Sequence, residues 1–396
     1  MIPRLLTDRC ALFEGDSINL RSILRPDAVD AWVSDPPCGI GFMSMEWDKS
    51  KGGRDQWINW LADIARGVLV TLKPGAHGLV WGLPRTSHWT GYALEDAGFE
   101  VRGRVSHLFG TGMPKSLDMA RQIDMHLCTL PGRHCDKHLP KKPREGDHLC
   151  PPHPSREAGA GYGTGLKEGL EDWWLVRKPL SEGSVVANML RWGTGALWID
   201  GCRVGEEGGT RSLPGAEPNY LNEVYGAGMG GLDTDPDAVL GRWPANAVID
   251  EEVAAALGAC ADFFYVPKPS KSEKDVGLDH LPVQSATVVT GREEGSEGSR
   301  HGRAGKTASG RNIHPTVKSV ALMRYLVRLI KPPIQLVPRP LVVDTFNGSG
   351  TTGIGALAEG CDYLGIEGHA PYVPIAVGRL QHAMVKYPAP LGRQAA

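Results

Sequence analysis

The chain of 396 residues contains no run of about 18 apolar residues, so nothing in it reads as a membrane span. Charge of one sign is also missing. The 43 Lys and Arg against 45 Asp and Glu leave a formal net charge of −2, so a polyanionic partner must be held by a local basic patch and not by the field of the whole protein. Cysteine is sparse, with eight residues scattered over the length, which excludes a disulfide framework. The opening MIPRLLTDRCALFEGD has no secretory apolar core, and together these features fit a cytoplasmic, reduced protein.

What is present is ordinary in bulk and unusual in detail. Hydrophobic residues at 41% and charged residues at 22% suit a globular protein with a sizeable core, in one large domain with an insertion or in two domains. The 51 Gly and 30 Pro predict many turns and long connections.

An α/β rhythm runs through both ends of the chain. The apolar stretch AVDAWVS (28–34) stops at Asp35-Pro36-Pro37, as a buried strand stops at its carboxyl end. A helical pattern over 56–73 is broken by Pro74-Gly75. A strand at 76–82, a helix at about 85–97 and a strand in FEVRGRVS follow. This alternation predicts a parallel α/β sheet. From about 107 to 267 the text turns rich in Gly, Pro, Trp and His and reads as an insertion, and 268–313 reads as a flexible Gly/Ser-rich loop. Regular α/β text then resumes over 314–396: a helix at 316–331, a strand at 340–346, a helix in TTGIGALAEG, a strand in CDYLGIE and a last helix at 371–386.

Two strand ends carry chemistry. In VVDTFNGSGTTGIGALAEGCDYLGIE the strand ends at Asp344, Gly348 and Gly350 permit a tight turn before a helix, and Glu367 closes the next strand, where an acid can accept both ribose hydroxyls of a nucleoside. A nicotinamide dinucleotide stays open on this pattern alone. No pyrophosphate-specific feature accompanies it, and a nucleoside-containing cofactor fits better.

Taken together, Asp35-Pro36-Pro37-Cys38, the tract His314-Pro315-Thr316-Val317-Lys318 and Asp344-Thr345-Phe346-Asn347-Gly348-Ser349-Gly350 resemble motifs IV, X and I of DNA amino-methyltransferases, in the permuted order of the beta class. FGTGMPKSLDMARQID, GYGTGLKEGLEDWWLVRKPL and RWGTGALWIDGCRV extend the likeness to the phage and prophage type over nearly the whole chain. The resemblance implies an α/β fold of the class I S-adenosylmethionine-dependent (Rossmann-like) type, circularly permuted, with a large target-recognition insertion. Residues 1–106 would form the catalytic half, 107–267 the insertion with its flanks, and 314–396 the cofactor half.

S-adenosyl-L-methionine would be the cofactor and double-stranded DNA the partner. The expected activity is transfer of a methyl group to N6 of a flipped adenine, with N4 of cytosine as the alternative and an inactive DNA-binding relative as a further one. Dimers are common in that class, so a homodimer is an open expectation. Asp35, Pro36, Pro37 and Cys38 would form the catalytic tract. Asp16, Asp35, Thr316, Lys318, Asp344, Phe346, Asn347, Gly348, Ser349, Gly350, Thr351, Thr352 and Glu367 would surround the cofactor.

Within Asp-Pro-Pro-Cys, the carboxylate and the thiol compete for the chemistry. Asp35 and the Pro36 carbonyl can each accept one N–H of an exocyclic amino group and draw its nitrogen towards tetrahedral geometry, with no covalent intermediate. A nucleophilic Cys38 would resemble the cytosine carbon-5 enzymes, but their separate Glu-Asn-Val element is absent, Asn222-Glu223-Val224 having the wrong order. The reading favours Asp35. Cys38 stands where the family has an aromatic that stacks on the flipped base, so Phe42 or Trp47 could replace that face or could simply pack in the core.

For DNA, the stretch 133–144 supplies Arg133, Lys137, Lys141, Lys142 and Arg144, and 291–311 supplies further arginines. Each is a backbone-binding loop or a solvated one. Cys135-x2-His138 and Cys150-x2-His153, near His126, Cys128, His134 and His148, have zinc-like spacing, although ordinary loop residues are the favoured reading and no metal is expected.

Overall fold

The computed structural model describes residues 1–41, 45–48, 51–110, 116–127, 153–205, 211–212, 218–219, 231–232, 234–235, 241–258, 264–285 and 309–389. One compact unit comprises Met1–Leu108, Leu170–Pro282 and Arg311–Ala396, and a second comprises Phe109–Gly169 with Val283–Gly310.

The first unit is built on a ten-stranded sheet. Its strands are β1 (Ile2–Leu6), β2 (Cys10–Glu14), β3 (Val29–Ser34), β4 (Leu72–Gly82), β5 (Glu100–Leu108), β6 (Leu170–Arg177), β7 (Ala247–Ile249), β8 (Phe264–Tyr265), β9 (Leu341–Asp344) and β10 (Asp362–Glu367). They lie in the order β1-β2-β10-β9-β3-β4-β6-β5-β7-β8. The central strands β2, β10, β9, β3 and β4 are mutually parallel, whereas β6 runs antiparallel to both β4 and β5.

Period-2 alternation assigns the faces of β3. Ala31 and Val33 join a core with α7 (Val320–Ile330), α8 (Thr351–Ala358) and α9 (Val373–Lys386), while Trp32 joins a core with α1 (Arg54–Thr71) and α2 (Ser87–Asp96) on the other side. Helix α1 buries Trp57, Ile58, Leu61, Ala62, Ala65 and Val68, one stripe at helical spacing. It ends at Thr71, whose hydroxyl donates to the Val68 carbonyl at 2.9 Å, and the chain is already extended at Leu72. The strand expected at 76–82 therefore begins four residues earlier, before Pro74-Gly75.

The expected boundary of the insertion also differs. Leu170–Arg177 lies inside the segment 107–267 but forms a central strand, so the break in the fold falls at Phe109–Gly169. The cause is tertiary. Asp172, flanked by Trp and Glu and unreadable as a core residue, is buried because its carboxylate accepts from Ser106 (2.9 Å), Arg104 (3.0 Å) and Ser87 (3.2 Å). The stretch 268–313 contains α6 (Lys271–Asp275), preceded by α4 (Val185–Trp192) and α5 (Glu251–Leu257); the part over 286–308 lies outside the described residues.

In the second unit, α3 (Met119–Leu127) packs on a short turn at Pro154–Gly159, and Asp124 accepts from the His153 amide at 2.9 Å and pairs with Arg156.

Across the first unit's sheet, buried Asp30 on β3 receives Lys73 of β4 at 2.5 Å and the Leu341 amide of β9 at 2.8 Å, tying three strands at the edge opposite their carboxyl ends. Replacing Asp30 by Ala strands a cation and a buried N–H. The expected loss is about 3 kcal/mol of unfolding free energy, read as a lower urea midpoint at unchanged slope; an unchanged midpoint would show that the pair contributes nothing.

Candidate active site

The parallel strands β3, β4, β9 and β10 all end at one edge, and β6, running the other way, begins there: Gly82 at the end of β4 is opposite Asp172. In α/β sheets this edge is where ligands bind.

Two strand tips are locked together. The Ser34 hydroxyl donates to Asp344 Oδ1 at 2.7 Å and accepts from the Thr345 amide at 2.8 Å and from Trp32 Nε1 at 3.0 Å. Asp344 also accepts from the Phe346 amide at 2.9 Å. Burial raises the Asp344 carboxyl above its ordinary range, against the pull of these donors. Asp344 is thus a structural anchor for the turn that follows it.

That turn passes through Gly348 (φ +53°) and Gly350 (φ +80°), both left-handed, and a Cβ at Gly348 would sit 2.7 Å from His314 Nε2. Glu367 at the tip of β10 accepts the Gly348 amide at 2.6 Å and the His369 amide at 2.7 Å. Burial nevertheless pushes its carboxyl up to about 7. Beneath the turn, Arg379 is wholly buried and donates to the Ser349 carbonyl (2.8 Å), Ser349 Oγ (2.8 Å) and Thr351 Oγ1 (3.0 Å). Asn347 accepts from Tyr363 at 2.8 Å and donates to the Gly348 carbonyl at 2.9 Å.

Asn347, Ser349, Thr351 and Thr352 are therefore buried supports of the turn. Phe346 packs against the Trp60 ring at 5.6 Å. Gly348-Ser349-Gly350-Thr351-Thr352-Gly353 has the G-x-G-x-x-G spacing, which corrects the expectation that no pyrophosphate-type feature accompanies the turn. The third glycine lets α8 approach Tyr363 and Leu380, which a Cβ would meet at 2.6 and 2.4 Å.

Asp35 follows β3 directly, and its side chain keeps 23% of its exposure, enough to be reached. Lys318 Nζ lies 3.4 Å from Asp35 Oδ2 and 3.4 Å from Oε2 of Glu171, the second residue of β6. It also faces the Trp81 ring, 4.2 Å from the centroid. Burial pushes the Asp35 carboxyl up to about 6, opposed by Lys318 and reinforced by Glu171 and Asp344. The Lys318 ammonium is held above its ordinary value because two carboxylates outweigh its burial. His314 is held neutral, its imidazole pushed down to about 3 by burial and by Lys318 and Arg379; Thr316 donates its amide to His314 Nδ1 at 3.3 Å.

Cys38 is a packing residue. Its Sγ contacts Asp48 Oδ2 at 3.5 Å, Asp48 Oδ1 accepts the Gly39 amide at 2.8 Å, and burial together with Asp48 pushes the thiol up to about 12. Trp47 sits edge-on to Tyr372 at 6.5 Å within a small core with Leu278 and Ile375, so core packing describes it. Asp16 is exposed and caps the turn Ser17–Ser22, accepting the Ile18 amide at 3.0 Å.

Phe42, Arg133, Lys137, Lys141, Lys142 and Arg144 lie outside the described residues, as do Cys128, His134, Cys135, His138, His148 and Cys150. His153 Nδ1 accepts the Ser155 amide at 3.2 Å, and among the described residues no three His, Cys, Asp or Glu side chains converge on a metal-sized point. Sequence reasoning missed Glu171, Trp81, Arg379 and Asp48; the one signal in the sequence is a charged Glu171 at the mouth of the apolar run WWLV.

A mixed sheet with antiparallel β6 set among parallel strands and antiparallel β1 at its edge, a glycine turn after one strand and an acid at the tip of the next is the class I S-adenosylmethionine-dependent methyltransferase fold. S-adenosylmethionine is the cofactor of that fold, and the glycine turn beside a buried carboxylate suits a nucleoside. Residues 195–378 match the family model of N6/N4 methyltransferases, described as DNA methylase; the span includes Lys318, the glycine turn and Glu367 and leaves Asp35 and Glu171 outside it.

The fold is similar to that of the PvuII DNA methyltransferase (cytosine-N4-specific), with 14% identity over 96% of this chain and 88% of that one and a TM-score of 0.50. Also similar are M1.HpyAVI, solved as a complex with S-adenosylmethionine (15%, 94% and 98%, TM-score 0.42), and TTHA0409 of Thermus thermophilus (13%, 95% and 95%, TM-score 0.41).

The thiol assignment is directly testable. In the folded protein at pH 8, iodoacetamide should alkylate Cys38 about 10³-fold more slowly than an unhindered cysteine, as followed by intact mass and peptide mapping. Labelling at the free-cysteine rate would restore the nucleophile.

Proposed function

We propose that this chain is an S-adenosylmethionine-dependent DNA amino-methyltransferase of the permuted beta class, acting on N6 of an adenine flipped out of double-stranded DNA. The observation that carries the proposal is a reachable Asp35 carboxylate, on a strand tip hydrogen-bonded to the strand tip that bears the glycine turn.

When bound, S-adenosylmethionine supplies an electrophilic methyl group. Glu367 has two oxygens and about four acceptor positions, of which two backbone amides take two, so ribose hydroxyls can be added. Gly348 offers backbone that the ligand can approach closely. At the reacting edge, Asp35 accepts one N–H of the target amino group and the Pro36 carbonyl the other. Pro36 and Pro37 carry no N–H of their own to compete for Asp35. The basic segments of the insertion supply phosphate contacts in this reading.

Methyl transfer from labelled cofactor to unmethylated genomic DNA, with nucleoside analysis, is the test. Wild type should yield N6-methyladenine, and Asp35→Ala should lose at least about 100-fold in turnover while still binding the cofactor. N4-methylcytosine would keep the mechanism and change the target, and cofactor binding without any transfer would favour the inactive DNA-binding relative.

A pH dependence follows from Glu367. Its ionised form is the better acceptor, so affinity for the cofactor should weaken as pH falls below about 7, approaching about tenfold per unit. Calorimetry on wild type and Glu367→Gln checks this: the acidic limb should vanish in the variant, and an unchanged limb would remove Glu367 from the site.

A further inference from the structure

Lys318 links Asp35 to Glu171, and its geometry is shared rather than paired. A charge-assisted N–H···O bond closes to roughly 2.7–2.9 Å, whereas both contacts of Lys318 stand at 3.4 Å. The ammonium is suspended between two carboxylates, with the Trp81 ring beneath it at 4.2 Å.

All three charged side chains are mostly enclosed: Lys318 keeps 15% exposure, Asp35 23% and Glu171 26%. Together they sum to one negative charge, which favours a donor or cationic group arriving at Asp35 and disfavours an anion.

We propose that Glu171 is a positioning residue of the methyl-transfer site: by taking a share of the Lys318 ammonium it keeps Lys318 from closing on Asp35, and so leaves the Asp35 carboxylate free to accept the N–H of the target amino group. This role rests on the reading of Asp35 given above. Without Glu171, Lys318 has one buried carboxylate left to satisfy. It closes on Asp35, occupies its lone pairs and competes with the base.

The charged and titratable groups facing Asp35 are Lys318 from the segment before α7, Glu171 from β6, Asp344 from β9 and Cys38 from its own turn; His107 of β5 faces Glu171. Of these, Glu171 and Asp344 raise the Asp35 carboxyl and Lys318 lowers it. Removing the Glu171 charge deletes one raising influence and strengthens the lowering one, so both changes move Asp35 the same way.

The test is a kcat–pH profile for Glu171→Gln, with Glu171→Asp as the variant that retains the charge and Asp35→Ala as the reference. Glu171→Gln should lose roughly tenfold in plateau kcat and shift its acidic limb to lower pH, with cofactor affinity within about twofold of wild type. Glu171→Asp should recover most of the rate and the wild-type limb.

A rate loss with the acidic limb unmoved would make Glu171 a packing residue and overturn the role, as would an unaltered kcat. Transfer lost in Asp35→Ala but untouched in Glu171→Gln overturns this role alone. Wild-type transfer by Asp35→Ala overturns the functional reading beneath it. Should Glu171→Gln fail to fold, the limb and rate of Glu171→Asp decide, since a wild-type profile supports the role and a rate loss without a limb shift refutes it.

Discussion

The hydrogen bond from the Ser34 hydroxyl to the Asp344 carboxylate joins residues 310 positions apart in the chain, and the site depends on it. It fixes β3 against β9 where both strands end, so the carboxylate that follows β3 and the glycine turn that follows β9 are set at one level of the sheet. The same hydroxyl receives the Thr345 amide and Trp32 Nε1, which leaves it no freedom to rotate away. A buried carboxyl at this position would be costly alone. Here it is satisfied by Ser34 and the Phe346 amide, and the network holds the two halves of the site together by directional bonds where apolar packing would leave them free to slide.

Around this lock the charges are arranged in two tiers. Arg379 lies wholly buried below the glycine turn, its guanidinium pushed down to about 10 by burial but still charged, and it fastens the turn through Ser349 and Thr351. Glu367 faces the turn from the neighbouring strand and receives two backbone amides. The turn is thus gripped from its carbonyl side by a cation and from its amide side by an anion. Such a grip supports a preformed cradle and leaves little conformational entropy to lose on binding.

Much of this was legible in the sequence. Asp35 could be placed at a strand tip because an apolar run stops at two prolines, and Glu367 because an acid closes the strand after a Gly-rich turn. The helix of α1 could be read from a stripe beginning at Trp57, within two residues at either end. What escaped was set by tertiary contacts. Strand β6 carries Glu171, Asp172 and two tryptophans in a row, a pattern with neither period, and Asp172 is internal only because Ser87, Arg104 and Ser106 converge on it. Arg379 looks like an exposed position on an amphipathic helix until the turn it supports is in place. Cys38, written in the catalytic tract, has its thiol raised by burial and then by Asp48, ten residues on, which also holds the Gly39 amide.

Stability alone is a weak account of the Lys318 cluster. Burying two carboxylates and one ammonium costs several kcal/mol per ion before their attraction is counted, and neither contact of Lys318 reaches the length at which that cost is best recovered. Apolar side chains of the same volume often hold packed elements as well as a buried ion cluster does. The arrangement makes sense if the incomplete pairing is itself the useful property. An Asp35 fully satisfied by Lys318 would have nothing left to offer a substrate, whereas an Asp35 without Lys318, already pushed up by burial and by Asp344, would take a proton and lose its second acceptor. In the role proposed for Asp35, dividing one ammonium between two carboxylates keeps it ionised near neutrality and under-bonded at once, which is the state that a hydrogen-bond acceptor for an amino group requires.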